Sequence, residues 1–530
     1  MIKNFKYVLW ILLFFLIYIL FNSWENEKKV SERIKLDNFS NKEERLVQSI
    51  SNENDDGNKI DEKEIIINTK LLYAKIDLFG GDIIYLVLKK YLDEVRSDNG
   101  VVLFDKSESK YFFAQSGFFE QVFSNKSKSN YNFFCNKTNY EILDGDFDLY
   151  LNLKCHASNL MVNKIYIFRN YSYEISVNFY LQNLSDNILS GKFYGFIKNK
   201  KDVHKSSLNV NRVYDGFAAY TKEKQYKKIS YKDLDNKHFS YKTEGGWIAS
   251  LDNYFLSAWI PNYYNSYNYN AEKTINNIYV LKFFSDKYID LFPKEVKCID
   301  SILFVGPKLK TCLNKIRKGL DLSIDYGIFW PIAVPIFLML TKTFNFVNNW
   351  GLSIIIITFL IKILFFHLSS MSYRSMGNLK KVQPKMDLLK DRYKDDKRML
   401  SQAMMELYRK EKVNPLSGCL PVLIQIPVFI SLYYVLLESV ELRHASFYLW
   451  IIDLSSKDPY YILPILMCIT MFIQQKLNPP VQDPIQAKVI MFMPFLFLFL
   501  FLQFPSGLIL YWVVNNILSI LQQWLIIRTS

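Results

Sequence analysis

Cysteine is scarce in this 530-residue chain, with six residues and no C-x-x-C pair, which excludes a disulfide scaffold and a zinc module. Histidine is scarcer, at five. There is no Ser-His-Asp order, no H-E-x-x-H helix and no carboxylate pair in a recognisable motif, so hydrolytic chemistry has little to draw on. The expectation is a protein that is not an enzyme and has no cofactor or metal. Uncharged apolar runs long enough to cross a bilayer are missing from some 300 residues in the middle of the chain. They occur once near the N-terminus and densely after about residue 340. What is abundant is charge, at 22% of residues beside 50% hydrophobic, a balance that excludes both a disordered chain and one made only of membrane helices. The net charge of +14 then records membrane topology, and no sequence-specific nucleic-acid partner is expected.

Tyr7 to Trp24 are uncharged and follow Lys3 and Lys6, with no small-x-small cleavage site after them. Residues 1–24 read as an uncleaved signal-anchor helix with its N-terminus in the cytoplasm, and 25–64, rich in Lys, Glu, Asn and Ser, as a flexible tether. From 65 to 325 short alternating or β-branched runs are separated by Gly, Asn and Asp, as in Leu71–Phe79, Gly80-Gly81-Asp82 and Ile83–Leu88. This pattern predicts an antiparallel β-sandwich on the far side of the membrane. Cys135 and Cys155 fall on candidate strands and are either a disulfide or two free thiols. Trp247 and Trp259, in GGWIASLDNYFLSAWIP, read as core residues of a strand pair in preference to a sugar-binding surface.

Residues 326–342 contain Pro331 and Pro335 in a short apolar run and predict an interfacial helix. Five spans are expected in 343–530, at 344–366, 416–437, 460–475, 485–504 and 508–527, which with the N-terminal anchor makes six. The loop 368–415 carries twelve Lys and Arg and the other loops few, so the positive-inside rule puts that loop and both termini in the cytoplasm. Within it Met386, Leu389 and Tyr393 form one stripe and Leu400, Ala403, Met404, Leu407 and Tyr408 another, predicting a helical hairpin whose apolar residues face each other. Its basic face suits ribosomal RNA or anionic lipid.

Lys362 stands in SIIIITFLIKILFF with no acid in any predicted span to pair with it. Such a charge lines a wet cavity or snorkels to the interface. Thr358 is one turn away, Tyr511, Asn515, Ser519 and Gln522 share one face of the last span, and Gln425 lies between Pro421 and Pro427. These groups either line a polar cavity or only glue the bundle. A secondary transporter would also put ionisable groups near midplane, although the spans show no internal repeat and no Gly-interrupted half-helices.

Several blocks resemble the YidC membrane protein insertase family, of the YidC/Oxa/Alb group and its Gram-negative type with a large periplasmic domain. They are EKVNPLSGCLPVLIQIPVFISLYY (411–434), SVELRHASFYLWIIDLSSKDPYYILPILM (439–467), FPSGLILYWVVNN (504–516) and NWGLSIIIITFLIK (349–362), with FGGDI, FAQSG and GGWIASLDNYFLSAWIP upstream. The resemblance implies an inner-membrane insertase and chaperone that inserts, folds and helps assemble integral membrane proteins, without using a nucleotide. Its implied partners are nascent integral membrane proteins, the Sec translocase with its accessory SecD and SecF subunits, the lipid bilayer and, through the hairpin, the ribosome. It implies a five-span core around a hydrophilic groove open to cytoplasm and lipid. By resemblance the groove residues are Lys362, where the family usually has Arg, with Thr358, Gln425 and Trp512. Tyr511 and Asn515 are added from the stripe, and Ile426, Pro427 and Leu500 match the slide along which a client's apolar segment moves.

Overall fold

The computed structural model describes residues 64–530 except 109, 121–130, 143–145, 158, 201–213, 215, 275, 394–395, 412, 414–419, 479–483 and 530. The expected anchor (1–24) and tether (25–64) lie outside the described residues, apart from Glu64, which begins the first strand, Glu64–Asn68.

Between Glu64 and Pro307 the chain forms two stacked sheets of eleven and eight strands. Pairings are antiparallel except that of Glu64–Asn68 with Asn139–Glu141, which run parallel. Strands such as Leu160–Arg169 alternate buried and part-exposed residues, the period of a sheet with one face in a core. Trp247–Leu251 and Phe255–Pro261 are buried at every position. Trp247 lies flat against Tyr220, and the Trp259 indole donates to Phe196 O at 3.0 Å, so both tryptophans are core residues. Cys135 and Cys155 are free thiols, Cys135 lying 2.9 Å from the Tyr140 hydroxyl.

A charged group sits inside this sandwich. Lys164 is fully buried, and its ammonium donates to Ser116 O at 2.9 Å and to Gly80 O at 3.4 Å, with Asp82 Oδ1 3.5 Å away. Lys164 belongs to the eight-stranded sheet and its partners to the other, so the contact ties the two sheets together. The partners are the FGGDI and FAQSG blocks. Gly80 and Gly81 take positive φ (85° and 64°), which lets the turn aim its carbonyls inward, where Tyr166 also donates to Gly81 O at 2.7 Å.

Eight helices dominate the rest of the described chain: α1 (Trp330–Val347), α2 (Trp350–Leu364), α3 (Phe366–Arg392), α4 (Lys397–Lys410), α5 (Leu420–Glu438), α6 (Ile462–Leu477), α7 (Pro484–Phe501) and α8 (Ser506–Thr529). The last four lie close to the expected positions. The first two do not. Residues 344–347 belong to α1, which ends where Asn348 turns left-handed and its N–H bonds to Phe344 O. The Asn349 side chain then caps α2 by accepting from Leu352 N–H at 2.9 Å, so α2 begins at Trp350. With its preceding turn, the first helix covers Gly327–Val347, 21 residues, and by length and composition it is long enough to cross a bilayer, as is Ser506–Arg528. The shortness that suggested an interfacial helix at 326–342 is therefore not observed, because the helix continues through Val347. Helices α2 and α3 meet at a 68° bend at Phe365, and the first arm of the hairpin starts at Phe366, well before the stripe that revealed it. Val382, Met386 and Met404 bury one another between α3 and α4, Asp396 caps α4, and Lys385 bridges to Glu411 at 2.7 Å.

Helix α8 is central, packing against α2, α3, α5 and α6. At the end of the bundle beside the sandwich, the 439–467 and 504–516 blocks are stitched together. Asp453 accepts from His444 N–H, Ser455 and Ser456, while Ser506 and Gly507 at the start of α8 donate to the backbone of Asp453, Leu454 and Ser456. Two cations fasten the sandwich to this end. Lys308, just after the last strand, pairs with Glu438, the last residue of α5, at 2.9 Å, with side chains 2% and 1% exposed. The Arg443 guanidinium donates to Leu92 O at 2.6 Å and Asp93 O at 2.9 Å.

Burial pushes the Asp82 carboxyl up to about 6, against the pull of Lys164, and pushes the Lys164 amine down to about 8. Asp82 thus contributes stability that is full below its ordinary 3.8 and lost as pH rises through about 6. Lys164 contributes stability that is full above 10.5 and lost as pH falls through about 8, so between these limits both are charged and depend on each other. In Lys164→Met the charge that draws Asp82 down is gone. Denaturant unfolding followed by tryptophan fluorescence should show a loss of about 3–5 kcal/mol at pH 7.5, partly regained at pH 5 as Asp82 takes a proton. Unchanged stability at pH 7.5, or a loss independent of pH, contradicts this assignment.

The Lys308–Glu438 pair makes a parallel prediction. Either Lys308→Met or Glu438→Leu alone leaves a buried charge unpartnered and should cost about 3–5 kcal/mol, while the double variant should recover most of that loss. Additive losses in the thermal unfolding of the purified protein would show that the two groups do not interact.

Candidate functional site

The candidate groups meet at the last turn of α2. Lys362 lies two residues before the helix end, where the negative end of the helix dipole partly offsets its charge. Its ammonium donates to Ser519 Oγ on α8 at 2.6 Å. Ser519 in turn donates to Asn515 O at 2.7 Å, and the Asn515 amide donates to Gln425 Oε1 on α5 at 2.8 Å. One hydrogen-bonded chain therefore joins α2, α8 and α5 through groups that would be expensive to leave unmatched in an apolar bundle. Gln522, one turn further along α8, reaches Phe366 O at 3.4 Å across the bend. Among the described residues no carboxylate lies within ion-pair distance of Lys362.

Not every candidate joins this chain. Thr358 is buried one turn back and donates to Ile354 O of its own helix at 2.6 Å. Tyr511 is also buried, but it lines a narrow apolar crevice with Ile354, Ile357, Ile361, Val428 and Leu432, and its hydroxyl has no partner among the described residues. Trp512 turns to the other side, against Phe429, Phe497 and Phe501. The stripe on α8 thus divides: Asn515, Ser519 and Gln522 make polar contacts, and Tyr511 packs in the core.

The slide candidates are surface residues. Ile426 is 41% and Leu500 51% exposed, on α5 and α7, and Pro427 is half-buried. Pro427 has no N–H to close its helical turn, and its carbonyl accepts from Ser431 Oγ at 2.7 Å. Further apolar side chains on α7, among them Phe495, Leu496 and Phe499, are more than half exposed.

Ser519 is legible on the stripe, four residues after Asn515, yet its service as acceptor for Lys362 emerges only from the crossing of α2 and α8. On the adjacent face of α8, about a quarter turn away, Asn516 donates to Thr470 at 3.1 Å and Gln523 to Asn478 at 3.1 Å. These contacts join α8 to α6 and its end. Their sequence signal is the same as that of the site, a polar residue in an apolar helix, so spacing alone cannot separate the two roles.

Residues 342–530 match the family described as 60Kd inner membrane protein, and residues 64–339 match the YidC periplasmic domain. The chain is 41% identical over 488 residues to a membrane protein insertase YidC of Ectopseudomonas mendocina, with 88% of this chain and 84% of that protein covered. It is 43% identical over 470 residues to one of Saccharophagus degradans, with the same shares covered. Among solved structures it is similar to an active YidC insertase with its first transmembrane domain resolved. That match has 18% identity, 87% of this chain and 92% of that one covered and a TM-score of 0.39, a likeness too low to carry weight. The sequence matches carry the assignment: the chain belongs to the YidC family of membrane protein insertases, inner-membrane proteins with a periplasmic domain.

Proposed function

We propose that the Lys362–Ser519–Asn515–Gln425 chain is the floor of a hydrophilic groove that receives the polar tail of a client, while Ile426, Pro427 and Leu500 guide its apolar segment into lipid. The observation that carries this is the polar chain itself, running between three apolar helices and ending in a cation without a carboxylate among the described residues. Polar groups inside the membrane shorten the stretch over which a client's hydrophilic segment is without water, and that desolvation is the main barrier to crossing. Partitioning of the client helix into lipid then drives release, with no nucleotide. Lys362 supplies charge without the planar fork of an arginine, so it attracts an acidic tail as a point charge and does not grip it in a bidentate pair.

In this reading the hairpin of α3 and α4 and both termini are cytoplasmic, as the twelve basic residues of 368–415 suggest. On this reading helix α1, although long enough to cross, lies at the membrane interface, with Pro331 and Pro335 in its first turns. α2 and α5 to α8 are the five core spans. The Asp453 network and the Lys308 and Arg443 contacts close the periplasmic end. The Sec translocase with SecD and SecF, and the ribosome at the hairpin, are proposed partners.

Three tests follow. With native Cys419 and Cys468 replaced, Cys at 362 or 425 should react with a membrane-impermeant thiol reagent from the cytoplasmic side, and Cys at 360, where Leu360 is 41% exposed on the opposite face of α2, should not. Absence of labelling at both 362 and 425 would remove the groove and leave polar groups that only hold helices together. Next, Lys362→Arg should be tolerated, and Lys362→Glu should lower insertion of a client with an acidic translocated tail relative to a neutral one by roughly tenfold, about 1.4 kcal/mol. Equal insertion of both clients by the Glu variant contradicts the role of the charge. Finally, deletion of residues 380–412 should abolish insertion while the protein still reaches the membrane, and growth of cells that depend on the deleted form would refute a functional hairpin.

A further inference from the structure

We infer that Ser519 is the positioning residue that holds the Lys362 ammonium inside the bundle and so sets the preference of the insertase for acidic client tails; this rests on the proposed role of Lys362. A lysine two residues from a helix end, beside a 68° bend, has an easy alternative. Its four-carbon stem can run outward and place the ammonium in the interface. In this protein the ammonium points to α8 instead, 2.6 Å from a hydroxyl that is itself 1% exposed.

The direction of that hydroxyl is fixed. Ser519 has one hydrogen, and it is donated to Asn515 O at 2.7 Å, one turn back on the same helix. The oxygen therefore presents only lone pairs to Lys362 and acts as a pure acceptor. Asn515 completes the arrangement, since its carbonyl orients Ser519 while its side chain binds Gln425 at 2.8 Å. Lysine carries three N–H donors, of which Ser519 takes one. Two remain for a client carboxylate, and no carboxylate among the described residues competes for them. A neutral tether of this kind positions the charge without neutralising it, which an aspartate at 519 would do. Without the tether the ammonium relaxes toward water, where its field is screened and attracts an acidic tail weakly.

The selectivity of reconstituted insertion is the direct readout. Full-length protein in proteoliposomes would be given two single-span clients that differ only in a translocated tail carrying Asp or Asn. Ser519→Ala should lower the ratio of acidic to neutral insertion by roughly three- to tenfold, as for the loss of one hydrogen bond. Ser519→Thr, whose hydroxyl can make the same back-bond to residue 515, should restore the ratio. In a Lys362→Gln background Ser519→Ala should change the ratio no further. If Lys362→Gln removes the preference and Ser519→Ala keeps it, the tether is overturned and the role of Lys362 stands. A fall shared equally by both clients in Ser519→Ala makes Ser519 a packing residue and overturns the inference. No preference in the parent protein, or one untouched by Lys362→Gln, overturns the reading on which the inference rests.

Discussion

A charge held away from water must be met by other polar groups, and three lysines of this chain show three ways of meeting one. Lys164 is enclosed by two carbonyls and Asp82 between the sheets, and Lys308 by Glu438 where the sandwich joins the helices. Lys362 meets a serine hydroxyl. The first two have a counter-charge, so their effect is architectural: each fixes one element against another, and removing one partner strands the other. The third has no counter-charge among the described residues. Its field is left available, and that difference separates a structural lysine from one proposed to act on a client.

The sandwich and the helices are not independent modules in this arrangement. Lys308 anchors the outer end of α5, the helix that carries Gln425, Ile426 and Pro427. Arg443 and the Asp453 network hold the loop that leads from α5 to α6 and the start of α8. The polar chain of the site therefore hangs from helices whose ends beside the sandwich are fixed. Pro427 lies between the anchored end of α5 and Gln425, where the helix lacks one backbone hydrogen bond.

Much of this was readable from local patterns. Alternation in Leu160–Arg169 and Asp148–Ala157 marks sandwich strands, and the spacing of Met386, Leu400 and Met404 marks a two-helix hairpin with an internal core. The four-residue spacing of Asn515 and Ser519 puts them on one face of α8. What could not be read depends on contacts distant in sequence or on single caps. Lys164 and Asp82 are 82 residues apart and Lys308 and Glu438 are 130 apart, and a lysine in a strand carries no mark of being buried. The boundary at Asn348 and Asn349 rests on one left-handed residue and one side-chain cap inside an otherwise continuous apolar stretch, so hydropathy separates the two helices but puts the break several residues early, between 342 and 344. Tyr511 matches the polar stripe by spacing, but it faces the apolar crevice because α1, α2 and α5 surround that part of α8.

On the proposed path a client lies against one side of this bundle, along α5 and α7 beside the polar chain. Site-specific photocrosslinking to a stalled nascent membrane protein measures it directly, with the probe at Gln425, Ile426 or Leu500 and, as a control, at Ile473, an equally apolar residue 46% exposed on α6. The proposed path predicts adducts from the first three positions and none from Ile473. Equal adducts from all four, or adducts from Ile473 with none from Gln425, would contradict it.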